Sequence, residues 1–202
     1  MPKRDAFPLA GTRPKIFLIG FNRCGTQSFH SFFMQNGIRS AHWLKGKLAT
    51  RLHQARKVDA DPISRLKRYD AYSDFFARLP NNIIDANLHF EHLWRWYPDA
   101  YFILNTRQVG AWIDSRIDHR EGLYERYYAD ANQQIDDIAA RLEHRWHNHH
   151  QRVRKFFREN PEARFLEFHI GRDATTSLCD FLAADYAIEK MEFPHLGKRP
   201  KL

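Results

Sequence analysis

The chain has 202 residues, of which 43% are hydrophobic, 14% aromatic and 28% charged. That length suits a single domain with a sizeable core; the aromatic content excludes a disordered chain, and nine Gly with nine Pro exclude a collagen-like or low-complexity one. No apolar run approaches the roughly 18 residues of a membrane helix, residues 1–14 read as a loose arm without a secretory apolar core, and Cys24 and Cys179 are too few for a disulfide framework. The expectation is a soluble cytoplasmic protein with one domain over residues 15–202. Thirty-two Lys and Arg against 24 Asp and Glu give a formal charge of +8, a field that favours an anionic partner without choosing among nucleic acid, an acidic surface and a phosphorylated small molecule.

In chain order, residues 15–20 form a short apolar run ended by Gly20, which predicts a buried strand. Residues 21–25 form a tight loop, and residues 26–36 carry Phe29, Phe32 and Phe33 at helical spacing before Gly37 stops the helix. A second strand over residues 38–43 leads into a basic helix over residues 44–58, broken at Asp61-Pro62. Residues 64–79 read as partly helical, with Tyr69, Tyr72, Phe75 and Phe76 as a packing face, before a short strand over 83–86 and a helix over 89–97. Residues 101–105 are a further inner strand, followed by a helix over 109–116. A long helix over 132–158 buries a stripe that includes Ile135, Ile138, Leu142, Trp146, Val153 and Phe157, then a strand over 165–168 and a helix over 175–184 close the chain. Strands alternating with helices predict an α/β fold whose central, largely parallel sheet is flanked by helices.

The first strand–loop–helix reads Gly20-Phe21-Asn22-Arg23-Cys24-Gly25-Thr26-Gln27-Ser28. Both glycines have the spacing of a Walker A loop, but Thr26 stands in the place of its Lys and Gln27 in the place of its Mg²⁺-binding hydroxyl. Such a loop retains backbone N–H groups and a helix N-terminus for an anion while losing the usual partners of a metal-bound triphosphate. Arg23, Thr26, Gln27 and Ser28 add side-chain donors; a strand-to-helix turn with chance residues is the plainer alternative. A second cluster follows the strand at 101–105: Arg107 comes directly after it and Ser115 two helical turns on, a pair that could clamp a second phosphate, although an Arg at such a place also fits a surface salt bridge.

Together the two motifs resemble those of the PAPS-dependent sulfotransferases, in particular the short bacterial-type members. Residues 21–28 are similar to the family's 5′-phosphosulfate loop, and Arg107 with Ser115 to its 3′-phosphate motif; weaker similarity runs through Ser40-Ala41-His42-Trp43, Tyr69-Asp70-Ala71-Tyr72-Ser73 and Phe193-Pro194-His195. The resemblance implies a P-loop-like fold and metal-independent transfer of a sulfuryl group from 3′-phosphoadenylyl sulfate (PAPS) to a hydroxyl or amine of a small-molecule or glycan acceptor. It also implies roles. Arg23 neutralises charge on the bridging oxygen, the backbone from Cys24 through Gly25 and Thr26 to Gln27 holds the 5′-phosphate, Thr26 and Ser28 add hydroxyls, and Arg107 and Ser115 hold the 3′-phosphate. Cys24 and Gln27 depart from the small or hydroxyl residues often found there.

The acceptor requires a base. The position matching the cytosolic family's His is Asp85, after Ile83-Ile84, with His89 second and Glu91 third; a strand-end or capping hydrogen bond is the plainer role for Asp85. His144, His147, His149 and His150 crowd one helix but lack a clear third metal ligand, so a solvated or core-edge role is favoured. Cys24 at a helix start beside Arg23 has the setting of a lowered thiol pKa. His42-Trp43 could line an acceptor pocket, and Lys198-Arg199 could reach a 3′-phosphate. A small nucleotide kinase-like enzyme and a catalytically degenerate sulfotransferase-fold binding protein remain as rivals. A nucleic-acid module is disfavoured, because no helix gathers basic and aromatic groups on one face. The oligomeric state is not legible.

Overall fold

The computed structural model describes residues 13–80, 82–118 and 135–196. Five parallel strands form the central sheet: β1 (Ile16–Leu18), β2 (Ser40–His42), β3 (Ala71–Ser73), β6 (Tyr101–Thr106) and β7 (Arg164–His169), in the spatial order β2-β3-β1-β6-β7. Between β3 and β6, β4 (Phe76–Leu79) and β5 (Asn82–Asp85) pair antiparallel as a separate hairpin. The helices are α1 (Thr26–Gln35), α2 (Lys47–Lys57), α3 (Phe90–Trp96), α4 (Val109–Ile117), α5 (Ile135–Glu159) and α6 (Thr175–Leu182). None of the described helices is long and apolar enough to cross a membrane.

Alternation along the inner strands divides the core into two layers. Phe17, Ile19, Tyr72, Phe102 and Leu104 pack against Leu48 and Leu52 of α2, Phe90 and Leu93 of α3, and Val153 and Phe157 of α5. Ile16, Leu18, Ala71, Tyr101 and Ile103 face the other way, onto Phe29, Phe32 and Phe33 of α1 and Leu178 and Leu182 of α6. In register, Phe17 lies between Tyr72 and Phe102. A third cluster sits where the first strand leaves the sheet: Phe21 and Cys24 pack on Trp112 of α4 and on Ile138, Leu142 and Trp146 of α5. It fixes the loop after β1 against the two helices that follow β6.

The α/β architecture is as the sequence predicts. Three local expectations change. Residues 64–79 contain no helix: residues 62–68 are turns, 71–73 form the inner strand β3, and 76–79 form β4. Tyr69, Tyr72, Phe75 and Phe76 mimic a helical face in spacing, but an inner parallel strand is buried on both sides and shows no period of two. The strand expected over 83–86 belongs to the hairpin, not to the central sheet. The basic stretch at 44–58 begins as a 3₁₀ turn at Leu44–Gly46 before α2, with Trp43, Leu44 and Lys45 all at positive φ. The start of the long helix at 132–134, and Lys198-Arg199, lie outside the described residues.

Candidate active site

The loop from β1 to α1 is braced from the neighbouring strand. Gly20 N donates to Asn105 Oδ1 at 3.0 Å, and Asn105 Nδ2 donates to Cys24 O at 3.0 Å, so one buried side chain spans the loop. A Cβ on Gly20 would fall 2.0 Å from the Asn105 carbonyl oxygen, which only glycine avoids. Arg23 (φ 65°) and Gly25 (φ 73°) turn the chain through the left-handed region immediately before α1. No side chain caps that helix, and its first turn holds no acidic residue. The unpaired N–H groups and the positive end of the helix dipole are therefore open to an anion.

Arg23, Gly25, Thr26, Gln27, Ser28, Arg107 and Ser115 all line one cleft of about 630 Å³ at the carboxyl ends of the central strands. Arg107 stands just beyond β6 and Ser115 on α4. Arg23 Nε donates to Ser115 Oγ at 3.0 Å, and an Arg107 guanidinium nitrogen donates to the Arg23 carbonyl at 3.2 Å. The far wall is Ile170 and Gly171, after β7, with Phe193, His195 and Leu196 from the C-terminal segment. Ser28 Oγ accepts a hydrogen bond from Leu196 N at 3.0 Å, tying that segment to α1. Cys24 is fully buried beneath the loop; burial pushes its thiol pKa up, opposite to the direction expected from its place beside Arg23 and the helix start.

Asp74, absent from the candidates drawn from the sequence, also lines the cleft. It follows β3 at φ 62°. Burial raises its pKa to about 7; the Arg116 charge opposes this, the Asp85 charge adds to it, and Arg23 and a Thr26 hydrogen bond pull it back. Its buried Oδ1 has no hydrogen-bond partner among the described residues. His42 Nε2 lies 3.2 Å from Thr26 Oγ1 and 3.5 Å from Asp74 Oδ2, and burial lowers its pKa to about 4, so it is neutral near pH 7.

The three residues chosen as bases from the sequence lie elsewhere. Asp85, with its side chain 1% exposed, sits 2.9 Å from Arg145 and 3.7 Å from the fully buried Arg116. Arg116 in turn donates to the Asn22 side chain in the loop, whose backbone carbonyl accepts from Trp112 Nε1 at 2.9 Å. His89 stacks on His53, 3.2 Å apart between ring nitrogens, and burial lowers its pKa to about 4. Glu91 forms a two-pronged pair with Arg152 at 2.7 Å on each oxygen. None of the three lines the cleft. The signal the sequence carries for Asp74 is its position directly beyond residues 71–73, an inner parallel strand whose flanking aromatics have helical spacing.

The buried histidines of α5 are structural in their contacts. His150 bonds Trp146 O and Thr106 Oγ1, each at 2.9 Å, and His149 bonds Ile19 O at 2.8 Å.

No curated protein matches the chain. A family model described as a sulfotransferase domain matches residues 15–131, more than half of the chain, and that stretch contains the loop after β1, Asp74, Arg107 and Ser115. The chain belongs to the sulfotransferase-domain family.

Proposed function

We propose that the protein transfers a sulfuryl group from PAPS to a hydroxyl or amine of a small-molecule acceptor, with Asp74 in place of Asp85 as the general base. The carrying observation is the convergence of Arg23, Arg107 and Ser115 with the uncapped start of α1 in one cleft that also holds Asp74. Two sets of donors, one at the start of α1 and one at Arg107 and Ser115, suit a ligand with two phosphate groups, and the donors are held in place before it arrives, which is where most catalysis of such transfers originates.

The donor brings an activated S–O bond to the phosphosulfate. Backbone N–H groups from Cys24 to Gln27, with the Thr26 hydroxyl, hold its 5′-phosphate, while Arg107 and Ser115 hold the 3′-phosphate. Arg23 lies between the two sets through its bond to Ser115 and offsets the charge that grows on the bridging oxygen as the S–O bond breaks. The Asp74 carboxylate, which lines the cleft, accepts the acceptor's proton as the new O–S or N–S bond forms and the S–O bond to the phosphate breaks, and 3′,5′-ADP leaves. A carboxylate with its pKa raised toward neutrality is a stronger base than a solvated one while remaining partly ionised at pH 7. His42, held neutral beside Thr26 and Asp74, orients both.

Calorimetric titration with 3′,5′-ADP, and with ADP and ATP–Mg²⁺ as controls, tests the reading. Binding of 3′,5′-ADP in preference to both controls, lost in Arg107→Ala, is expected. Preference for ATP–Mg²⁺ overturns it in favour of kinase-like chemistry, and binding of 3′,5′-ADP without any sulfuryl transfer across an acceptor panel leaves a degenerate binding protein.

A further inference from the structure

From Ala6 to Val58 the sequence holds no Asp or Glu, while Lys45, Lys47, Arg51, Arg56 and Lys57 gather near the end of that stretch. Most of them lie on α2, which buries Leu48, Ala49, Leu52 and Ala55. Lys47, Arg51, Gln54 and Lys57 follow one another at helical spacing and share the outer face. Lys47, Gln54 and Lys57 are exposed and Arg51 partly so. The face runs for about 15 Å. None of the five cations takes part in an ion pair among the described residues, whereas Arg145, Arg152, Arg154 and Arg164 all do. The acids that follow α2, Asp59 and Asp61, are matched by Arg95 and Lys67. Cations gathered without a counter-charge repel one another and attract an anion.

The turn leading into α2 is strained. Trp43, Leu44 and Lys45 have φ of 56°, 48° and 55°, the left-handed region that disfavours any residue bearing a Cβ. Gly46, at φ 80°, closes the turn so tightly on the hairpin that a Cβ would fall 3.0 Å from that of Ala77. The turn leaves Trp43 40% exposed. It stands one residue beyond His42, whose Nε2 lies 3.2 Å from Thr26 Oγ1 and 3.5 Å from Asp74 Oδ2, and Trp43 N donates to Ser73 O at 3.0 Å. Strain of this kind persists at binding sites, where it fixes how a side chain is presented.

We propose that Trp43 and the outer face of α2 dock an acidic oligosaccharide, a short chain of uronic acids. If the sulfuryl-transfer reading holds, on which this second step rests, the chain is the acceptor and one of its hydroxyls reaches Asp74. Carboxylates repeated along a chain match cations repeated along the helix, which a single phosphate would leave largely unpaired. Trp43 adds a flat apolar face for a sugar ring and so favours a glycan over an acidic peptide. Trp43, Lys47, Arg51 and Lys57 do not line the cleft assigned to the donor, and docking is measured without donor present.

The probe is hexagalacturonate, titrated calorimetrically beside maltohexaose, a neutral glycan, and hexaglutamate, an acidic peptide. Saturable binding of hexagalacturonate is expected, about tenfold or more tighter than either control and weakened as NaCl is raised from about 0.05 to 0.5 M. The double variant Lys47→Ala, Arg51→Ala keeps good helix formers on α2 and is expected to melt as wild type and bind about fivefold more weakly. Trp43→Ala is expected to weaken binding about tenfold. Arg158→Ala with Lys190→Ala removes the same net charge from exposed positions elsewhere and is expected to change affinity by less than about twofold. Equal loss in the two double variants, hexaglutamate bound as tightly as the glycan, or no saturable binding to protein shown to be folded by its melting curve each overturns the docking surface. Binding of 3′,5′-ADP alone overturns docking and leaves sulfuryl transfer standing. Binding of hexagalacturonate without 3′,5′-ADP upholds docking and overturns the acceptor role.

Discussion

Arg23 Nε donates a 3.0 Å hydrogen bond to Ser115 Oγ across 92 positions of sequence. The contact joins the loop after β1 to the helix after β6, so the two motifs line a single cleft, and Arg107 closes the figure by donating to the Arg23 carbonyl. Arg107→Ala is therefore expected to lose a charged contact to the ligand together with a brace on the loop. Charge-assisted hydrogen bonds contribute about 1.5–3 kcal/mol, so 3′,5′-ADP is expected to bind about 10- to 100-fold more weakly by calorimetry. Ser115→Ala removes a neutral donor and is expected to cost about tenfold or less. Arg107→Lys is expected to restore only part of the loss, because an ammonium cannot reproduce a forked contact. Equal affinity in Arg107→Ala and wild type would detach this residue from the site.

Asp74, the proposed base, and Asp85, a partner in a buried ion pair, lead to different expected outcomes on substitution. Asp74→Asn is expected to bind 3′,5′-ADP as wild type does and to lower turnover by about 100-fold or more, the usual worth of a positioned general base. Turnover of the wild type is expected to rise with pH through about 7, the pKa to which burial raises Asp74. Asp85→Asn is expected to act on the fold. Arg116 is fully buried, and removing one partner of a buried ion pair typically costs about 3–5 kcal/mol, visible as a lowered Tm. A normal Tm with lost turnover in Asp85→Asn would return the role of base to that residue.

The stability of the protein carries an opposing pair of pH effects. Asp74 has a folded pKa raised from 3.8 to about 7, so between about pH 4 and 7 the native state keeps a proton that the unfolded chain has released. That component of stability falls as pH rises through the window. His42, His89, His149 and His150 have lowered pKa values, so their unfolded forms take up protons that the native forms refuse, and their component rises with pH from about 4 to 6.5. Asp74→Asn removes only the first component. The difference in Tm, variant minus wild type, is expected to grow more positive from pH 5 to pH 8 in differential scanning calorimetry. A difference that stays flat would mean that Asp74 is not protonated at pH 5 in the folded protein.

How far the sequence spoke depends on whether a signal was local. The strand–loop–helix around Gly20 and Gly25, and the Arg107-to-Ser115 spacing, are short-range patterns; both motif positions line the cleft. Asp74 was hidden by a periodicity that fits two structures: Tyr69, Tyr72, Phe75 and Phe76 have helical spacing, yet Ala71–Ser73 is an inner strand buried on both sides. Asp85 ends a strand, but that strand belongs to a hairpin outside the central sheet, and its side chain meets Arg116 and Arg145 and not the cleft. Pairing partners at such distances in sequence are set by tertiary packing and leave no local mark. Asn105 shows the same limit: it read as the last residue of an inner strand, while its side chain bonds to the backbone of both Gly20 and Cys24.

That brace makes Gly20 the most sensitive glycine of the loop. A methyl group there would fall 2.0 Å from the Asn105 carbonyl oxygen and 2.7 Å from its side-chain oxygen. Neither can yield cheaply: the carbonyl belongs to β6, and the side chain holds the loop at both ends. Gly20→Ala is therefore expected to separate β1 from β6 locally and to break the Gly20-to-Asn105 hydrogen bond, at a cost of about 3 kcal/mol or more from overpacking and a buried polar group left unpaired. The variant is expected to melt at least several degrees lower, about 2–4 °C for each kcal/mol in a chain of this size. Gly37→Ala serves as the control. It has positive φ, which Gly20 does not, and nothing within 4 Å of the added carbon, so it meets backbone strain alone and is expected to lose about 1 kcal/mol. Equal melting of the two variants would show that the close approach of Asn105 does not dictate glycine at position 20.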